Sequence, residues 1–306
     1  MKYYDLPKPV LQVSEIALGC MRIADKSIEE VEELVKTALD CGINFFDHAD
    51  IYGGGKSEEL FGQVLEKHPE YREKMIIQTK CAIVPGKRYD FSKEYIMNAV
   101  NGSLKRLHTD HVEILLLHRP DALCDPQEVA EAFDELYVSG KVKYFGVSNH
   151  TPGQIALLQK YTKHPIIINQ LQLSIVHSVM IDSGMNMNMK EDIAIDKDGG
   201  VLDYCRLNDI TIQAWSIVQA SWAEGTFLNH PDYKKLNNVL DDLAKKYNVT
   251  PATIATAWIL RHPAHIQAIT GTTSPKHLIE TAEAANIELT RQEWYDLYLA
   301  SDKPLP

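Results

Sequence analysis

Asp47, Tyr52, Lys80 and His118 are the four side chains of this chain best suited to act together on a proton. A phenol titrates near pH ~10, so it serves as an acid-base group near neutrality only where a neighbouring cation favours its phenolate. Lys80 is such a cation, Asp47 would hold the ammonium in place, and His118 could donate to or accept from the same substrate oxygen. A second group suits a flat heterocycle carrying an amide and an anion. Asn149 and Gln170 fit the amide, Trp215 fits stacking, and the turn Gly271-Thr272-Thr273-Ser274, which opens a helix at Pro275, fits a phosphate. A carboxamide on an aromatic ring plus a phosphate describes a nicotinamide dinucleotide.

The stretch GINFFDHADIYGGGKSEELFG, residues 42–62, admits other readings. His48-x-Asp50 could ligate a metal, but no second ligand pair stands at another strand end and His118 brings the set to three at most. Gly53, Gly54 and Gly55 could cradle phosphate, although turn geometry is the simpler use of them. Acid-base chemistry is the reading that the other strand ends support, with Asp50 behind the site and His48 near the substrate. The segment VMIDSGMNMNMKEDIAIDKDGG ends in D-x-D-G-G without the later Glu of a calcium loop. Its methionines suit either an adaptable substrate wall or packing under a rim.

These positions matter because of what precedes each of them. Short runs rich in Val, Ile, Leu and Phe alternate with longer runs of helical period. The runs predict strands at 15–21, 44–46, 75–79, 112–117, 144–147, 166–169, 212–214 and 268–270. Helices are expected at 28–41 (opened by the capping box Ser27 to Glu30), 57–66, 92–107, 126–139, 152–161, 201–207, in segments up to 261, and at 275–284. Eight βα units with strands apolar on both faces predict an α/β fold of the (β/α)8 TIM barrel type, one domain over 1–306. A doubly wound open sheet is the alternative, but Gly19-Cys20-Met21-Arg22 stands where its G-x-G-x-x-G would follow the first strand. Barrel loops gather at one face, so the long insertions at 171–200 and 217–230 are expected over the active face.

The composition, 45% apolar and 24% charged in 306 residues, provides a sizeable core. A net charge of −11 with no compensating basic run argues against nucleic acid and anionic membranes as partners. The sequence has no secretion-type apolar segment and no apolar run of the ~18 residues a span requires, which predicts a cytoplasmic protein. Five widely spaced cysteines without a C-x-x-C pair read as reduced packing residues.

The motifs FFDHADIYG, QTKC, LLLHRP, FGVSNH, INQ, AWS and TGTTSPKHLIE, in this order, resemble those of the aldo/keto reductase superfamily from residue 19 to residue 280. The DHADIYGG form is similar to a bacterial oxidoreductase subgroup of it. The resemblance implies a metal-free, NADPH-dependent reductase of aldehydes or ketones, with Tyr52 as proton donor, Lys80 and Asp47 lowering its pKa, and His118 orienting the carbonyl oxygen. It also implies a cofactor set. Ser148, Asn149 and Gln170 would hold the carboxamide with Trp215 on the ring, while Met21, Arg22, Asp47, Ser216, Ile217, Gln219, Ser221, Gly271, Thr272, Thr273, Ser274, His277, Glu280 and Thr281 would line the rest. Many members carry a basic residue and an Arg for the 2′-phosphate where this chain has Gly271 and His277, with Lys276 alongside, which leaves NADH beside NADPH. An NAD(P)H-binding redox sensor or partner-binding barrel with slow catalysis is the alternative function, and a metal-dependent barrel hydrolase a third.

Overall fold

Strands apolar on both faces need cover on both, and here closure of the sheet supplies it on the inside and a layer of helices on the outside. The computed structural model describes residues 1–6 and 11–305. Eight parallel strands form a closed barrel: β1 Ile16–Gly19, β2 Phe45–Asp47, β3 Ile76–Cys81, β4 Val112–Leu117, β5 Val142–Ser148, β6 Ile166–Gln172, β7 Thr211–Trp215 and β8 Gln267–Thr270, with β8 pairing back onto β1. The predicted strands lie within a few residues of these, and 112–117 coincides.

Side chains alternate inward and outward along each strand, so parity decides which residues the barrel encloses. Ala17, Phe45, Ile76, Ile114, Leu116, Ile168 and Ile269 fill the interior, while Phe46, Ile77, Leu115 and Leu117 belong to the outer core beneath the helices. Counting two residues onward from the interior positions reaches Gly19, Asp47, Gln78 and Lys80, His118, Gln170 and Gly271. The chemistry therefore sits on the inward face at the C-terminal ends of the strands because the apolar residues before it do.

The outer layer holds α1 Ile28–Asp40, α2 Lys56–Lys67, α3 Lys93–Arg106, α4 Pro126–Val138, α5 Pro152–Tyr161, α6 Val179–Met185, α7 Val201–Leu207, α8 Lys234–Tyr247, α9 Pro251–Leu260, α10 Pro275–Ala282 and α11 Arg291–Ala300. The predicted capping box opens α1: Glu30 N–H donates to Ser27 Oγ, and Ser27 N–H to the Glu30 carboxylate. Helices α2 and α3 approach so closely that a Cβ on Gly62 would lie 2.0 Å from the Arg106 carbonyl oxygen. Buried Glu58 ties them to the barrel, accepting from Thr79 Oγ1 at 2.6 Å and from Arg106 Nη2 at 2.7 Å.

Several elements were not foreseen. A hairpin of Tyr3–Asp5 with Gln12–Ser14 lies across the N-terminal end of the barrel, where Leu6 and Val13 join the interior core. Tyr3 Oη donates to Gly42 O, and Ser14 N–H to Asn44 Oδ1. Helix α11 docks through Trp294, which stacks on Trp258 at 4.8 Å, each indole N–H donating to the other residue's carbonyl. The 171–200 insertion contains α6, and 217–230 contains a small hairpin, Gln219–Ser221 with Gly225–Thr226. Among the described residues, no helix is long and apolar enough to cross a membrane.

Candidate active site

Asp47 ends β2 and Lys80 lies near the end of β3, both facing inward and both buried. The ammonium of Lys80 donates to both carboxylate oxygens of Asp47 at 2.7 Å, to the His48 carbonyl at 2.9 Å and to Tyr52 Oη at 3.0 Å. Tyr52 arrives on the short turn Tyr52–Gly55, in which Gly53 and Gly54 adopt φ of 57° and 65°. A Cβ on Gly53 would lie 2.3 Å from that of Ala24, so these glycines serve the turn. The His118 ring meets the phenol edge-on at 5.9 Å.

Burial raises the Tyr52 phenol above its usual range; the pull of Lys80 opposes this but is the smaller effect, and Asp47 adds to the rise. The expectation of a lowered phenol is therefore corrected: Lys80 acts in the expected sense, but desolvation wins. The phenol stays protonated. Burial alone would lower Lys80, yet Asp47 and Tyr52 outweigh it and the ammonium is held above the ordinary lysine value. Burial, then Lys80 and Arg119, push His118 well below the ordinary histidine range, so its imidazole is neutral.

From this floor a cleft of about 1020 Å3 runs along the C-terminal face. Its walls include Met21, Arg22, Asp47, Tyr52, His118, Ser148, Asn149, Gln170, Trp215, Ser216, Ile217, Gln219, Gly271, Thr272, His277, Glu280 and Thr281, all expected there. Lys80 lies beneath Tyr52 and off the wall. Ser221, Thr273 and Ser274 do not line the cleft. Ser274 caps α10 by accepting from His277 N–H, and Ser221 Oγ accepts from Glu224 N–H.

The amide-bearing end is wired together. Trp215 Nε1–H donates to Asn149 Oδ1 at 3.3 Å, Asn149 Nδ2 donates to Ser148 Oγ at 2.7 Å, and that hydroxyl donates to the Gln170 carbonyl at 2.9 Å. Asn149 and Ser216 hold left-handed φ of 60° and 58°, conformations that side-chain-bearing residues adopt at a cost and that cluster at functional sites. A stacking face and amides at one end, with the N-terminus of α10 at the other, fit a dinucleotide.

Several expectations fail on packing. His48 is fully buried against Phe61, with ring centroids 4.4 Å apart and no partner for either ring nitrogen; burial, then Lys80, pushes it down to about 3. It is a neutral packing residue away from the cleft. Asp50 faces a separate cavity of about 510 Å3 with Arg88, Tyr95 and Arg106, and burial, then Glu58, raises its carboxyl to about 7. The methionines of 171–200 line no part of the cleft: Met180 packs in the core and Met187 is exposed. Asp196 and Asp198 spend their Oδ1 atoms on backbone N–H groups of the turn 198–201.

Other cleft and site residues were missed. Trp222 and Leu228 come from the 217–230 segment, and Thr250, Pro251, Ala252 and Thr256 from the start of α9. Arg119 also lines the cleft. Gln78 was missed as well: it donates from Nε2 to Asp47 Oδ1 at 2.6 Å, beside the expected Gln170 at 2.9 Å. A lone Gln inside an apolar strand, as in IIQTK, was the available signal.

A family model described as the aldo/keto reductase family matches residues 15–298. The chain belongs to the aldo/keto reductase family. It is 35% identical over 302 residues to the 6-dehydroglucose reductase of Novosphingobium aromaticivorans, covering 95% of this chain and 92% of that protein. Identity to the oxidoreductase YdhF of Escherichia coli is 33% over 300 residues, with 95% and 94% covered. The solved structure of a thermostable aldo-keto reductase, Tm1743, bound to the inhibitor epalrestat superposes with a TM-score of 0.79 at 27% identity, over 98% of this chain and 100% of that one. This aldo/keto reductase is thus an oxidoreductase that uses a nicotinamide cofactor on small carbonyl compounds.

Proposed function

We propose that this chain reduces an aldehyde or ketone to the alcohol with NADPH, Tyr52 being the proton donor. The observation that carries the reading is the chain of contacts from Asp47 through Lys80 to a protonated Tyr52 at the cleft floor, with neutral His118 alongside. The reduced nicotinamide supplies a hydride when bound. The residues of the chain do the rest. Tyr52 Oη and the His118 imidazole face one substrate oxygen; the phenol gives it a proton as negative charge develops there, and Lys80 stabilises the phenolate left behind. Asp47 keeps the Lys80 ammonium charged and fixed. Asn149 and Gln170 would hold the carboxamide and Trp215 would stack on the ring, while the N-terminus of α10 with Arg22 and Lys276 would supply positive potential for phosphates.

The reading is tested by titrating the protein with NADPH and with NADH, following fluorescence, for wild type and Trp215→Ala, beside turnover on a panel of simple aldehydes. Saturable quenching that weakens in the variant, tighter binding of NADPH, and turnover of at least one aldehyde are expected. Absence of binding at micromolar nucleotide would overturn the reading. Binding without turnover would favour a redox-sensing barrel.

A further inference from the structure

The Asp47 carboxylate is the upper end of a buried amide chain that crosses the barrel interior. Adjacent strands pair Asp47 with Gln78, Gln170 with Gln213, and Gln213 with Gln267 in register, which brings inward-facing amides within reach of one another. Gln78 and Gln170 each donate from Nε2 to Gln213 Oε1, at 2.9 and 3.0 Å, besides donating to Asp47. Gln213 Nε2 donates to Gln267 Oε1 at 2.8 Å, and Gln267 Nε2 to the Ser14 carbonyl at 2.7 Å. All four glutamines are buried.

The direction of this chain is forced from its ends. A backbone carbonyl only accepts, so Gln267 must turn its NH2 toward Ser14 and its oxygen toward Gln213. Gln213 must then donate downward, which leaves its oxygen to accept from Gln78 and Gln170. Those two are left with donors for Asp47, which accepts as a carboxylate. Gln78 shows that the order is imposed on it: both its N–H groups are used while its Oε1 is buried without a partner, and turning the amide over would set oxygen against oxygen. The same order spends the NH2 group of Gln170 on Asp47 and Gln213, so that its oxygen is the atom left to accept from the cleft.

We infer that Gln213 and Gln267 are positioning residues whose one-way amide chain, anchored on the Ser14 carbonyl, keeps Asp47 an acceptor and aims the oxygen of Gln170 at the carboxamide of the cofactor. The inference rests on the proposed function, since the carboxamide site is part of that reading. It acts on two quantities at once: the affinity for NADPH through Gln170, and the ionisation of the Tyr52–Lys80 pair through Asp47.

The test uses the full chain carrying Gln213→Met, which fills the space but neither accepts nor donates as an amide, and in parallel Gln267→Met and Gln267→Glu. NADPH dissociation constants are read by fluorescence, with pH profiles of kcat and thermal melts alongside. Gln213→Met should weaken NADPH binding about tenfold, as loss of an aligned hydrogen bond does, and displace the alkaline limb of the kcat profile. At position 267 a carboxyl accepts from Gln213 Nε2 whether protonated or ionised, whereas Met accepts from nothing and releases the Gln213 amide. Gln267→Met should therefore weaken NADPH binding severalfold while Gln267→Glu stays near wild type, the reverse of the order that packing in a buried site would give. Glutamines that only filled space would lower the melting temperature and leave both readouts unmoved, which would overturn the inference. If Gln213→Met does not fold, the two substitutions at 267 decide alone, and equal NADPH affinity in Gln267→Met and Gln267→Glu overturns the inference. Wild-type protein that binds no NADPH brings down the proposed function and this inference together; wild type that binds it while Gln213→Met and Gln267→Met behave like wild type brings down this inference only.

Discussion

Replacing Lys80 by Met should cost stability through the partner it leaves behind. Lys80 is wholly buried, and its removal takes two 2.7 Å donors from Asp47, itself 3% exposed. Stranding one member of a buried ion pair costs roughly 3–5 kcal/mol. Asp47 is not wholly stranded here, because Gln78 at 2.6 Å and Gln170 at 2.9 Å still donate to Oδ1. Donors to a charged acceptor are worth about 1.5–3 kcal/mol each, so the expected loss falls below the range for a stranded partner, at about 2–3 kcal/mol. Asp47→Asn in the Lys80→Met background removes the stranded charge and should recover most of that loss, so the two substitutions should couple by about 2 kcal/mol in a double-mutant cycle read by chemical denaturation. The raised pKa of Lys80 sets the sign of the pH dependence. The stabilisation is present below the unfolded-state lysine pKa and is lost as pH rises through the higher folded value, so the cycle should be flat across neutrality. Additive effects, or Lys80→Met as stable as wild type, would refute the account of a buried pair supporting Tyr52.

Tyr52→Phe keeps the ring and removes the transferable proton, so steady-state reduction should fall about 10²–10⁴-fold with NADPH binding retained; near-normal turnover would move the proton donor to His118. Asp50 gives a stability signal of its own. Its carboxyl is raised to about 7 when folded, so the folded state binds a proton that the unfolded chain releases, and stability declines as pH rises from about 4 to about 7. Asp50→Asn should thus stabilise the protein by about 1–3 kcal/mol at about pH 8 and by little at about pH 4, as measured by denaturation at both; equal effects at the two pH values would exclude a protonated Asp50.

The cluster of Asp47, Tyr52, Lys80 and His118 was legible because each stands at or just beyond the end of an apolar run, and a closed parallel barrel turns such ends into one face. The turn at the other end of the cleft was legible for a similar reason: Gly271 to Pro275 looks like a helix opening whatever surrounds it. Gln78, Gln213 and Gln267 were only half legible, since a single amide inside an apolar strand signals a buried polar partner but does not name it until parity and register place it beside amides far away in sequence. His48 misled because residue type states what a side chain could do, whereas packing against Phe61 decides where it points; for the methionines of 171–200, residue type left a substrate wall and packing both open, and only burial decides between them. The direction of the phenol shift needed burial, which no local spacing encodes.

The hairpin of Tyr3–Asp5 with Gln12–Ser14 makes the molecule polar in an engineering sense. It closes the end of the barrel opposite the cleft, and its contacts with Gly42 and Asn44 lie at the start of β2, away from the catalytic rim. The mouth can then be reshaped by loop exchange while the stopper holds water out from below. An attachment chemistry directed to that hairpin would orient every immobilised molecule with its opening toward the bulk, provided the Ser14 carbonyl, which is both plug and anchor, is left in place.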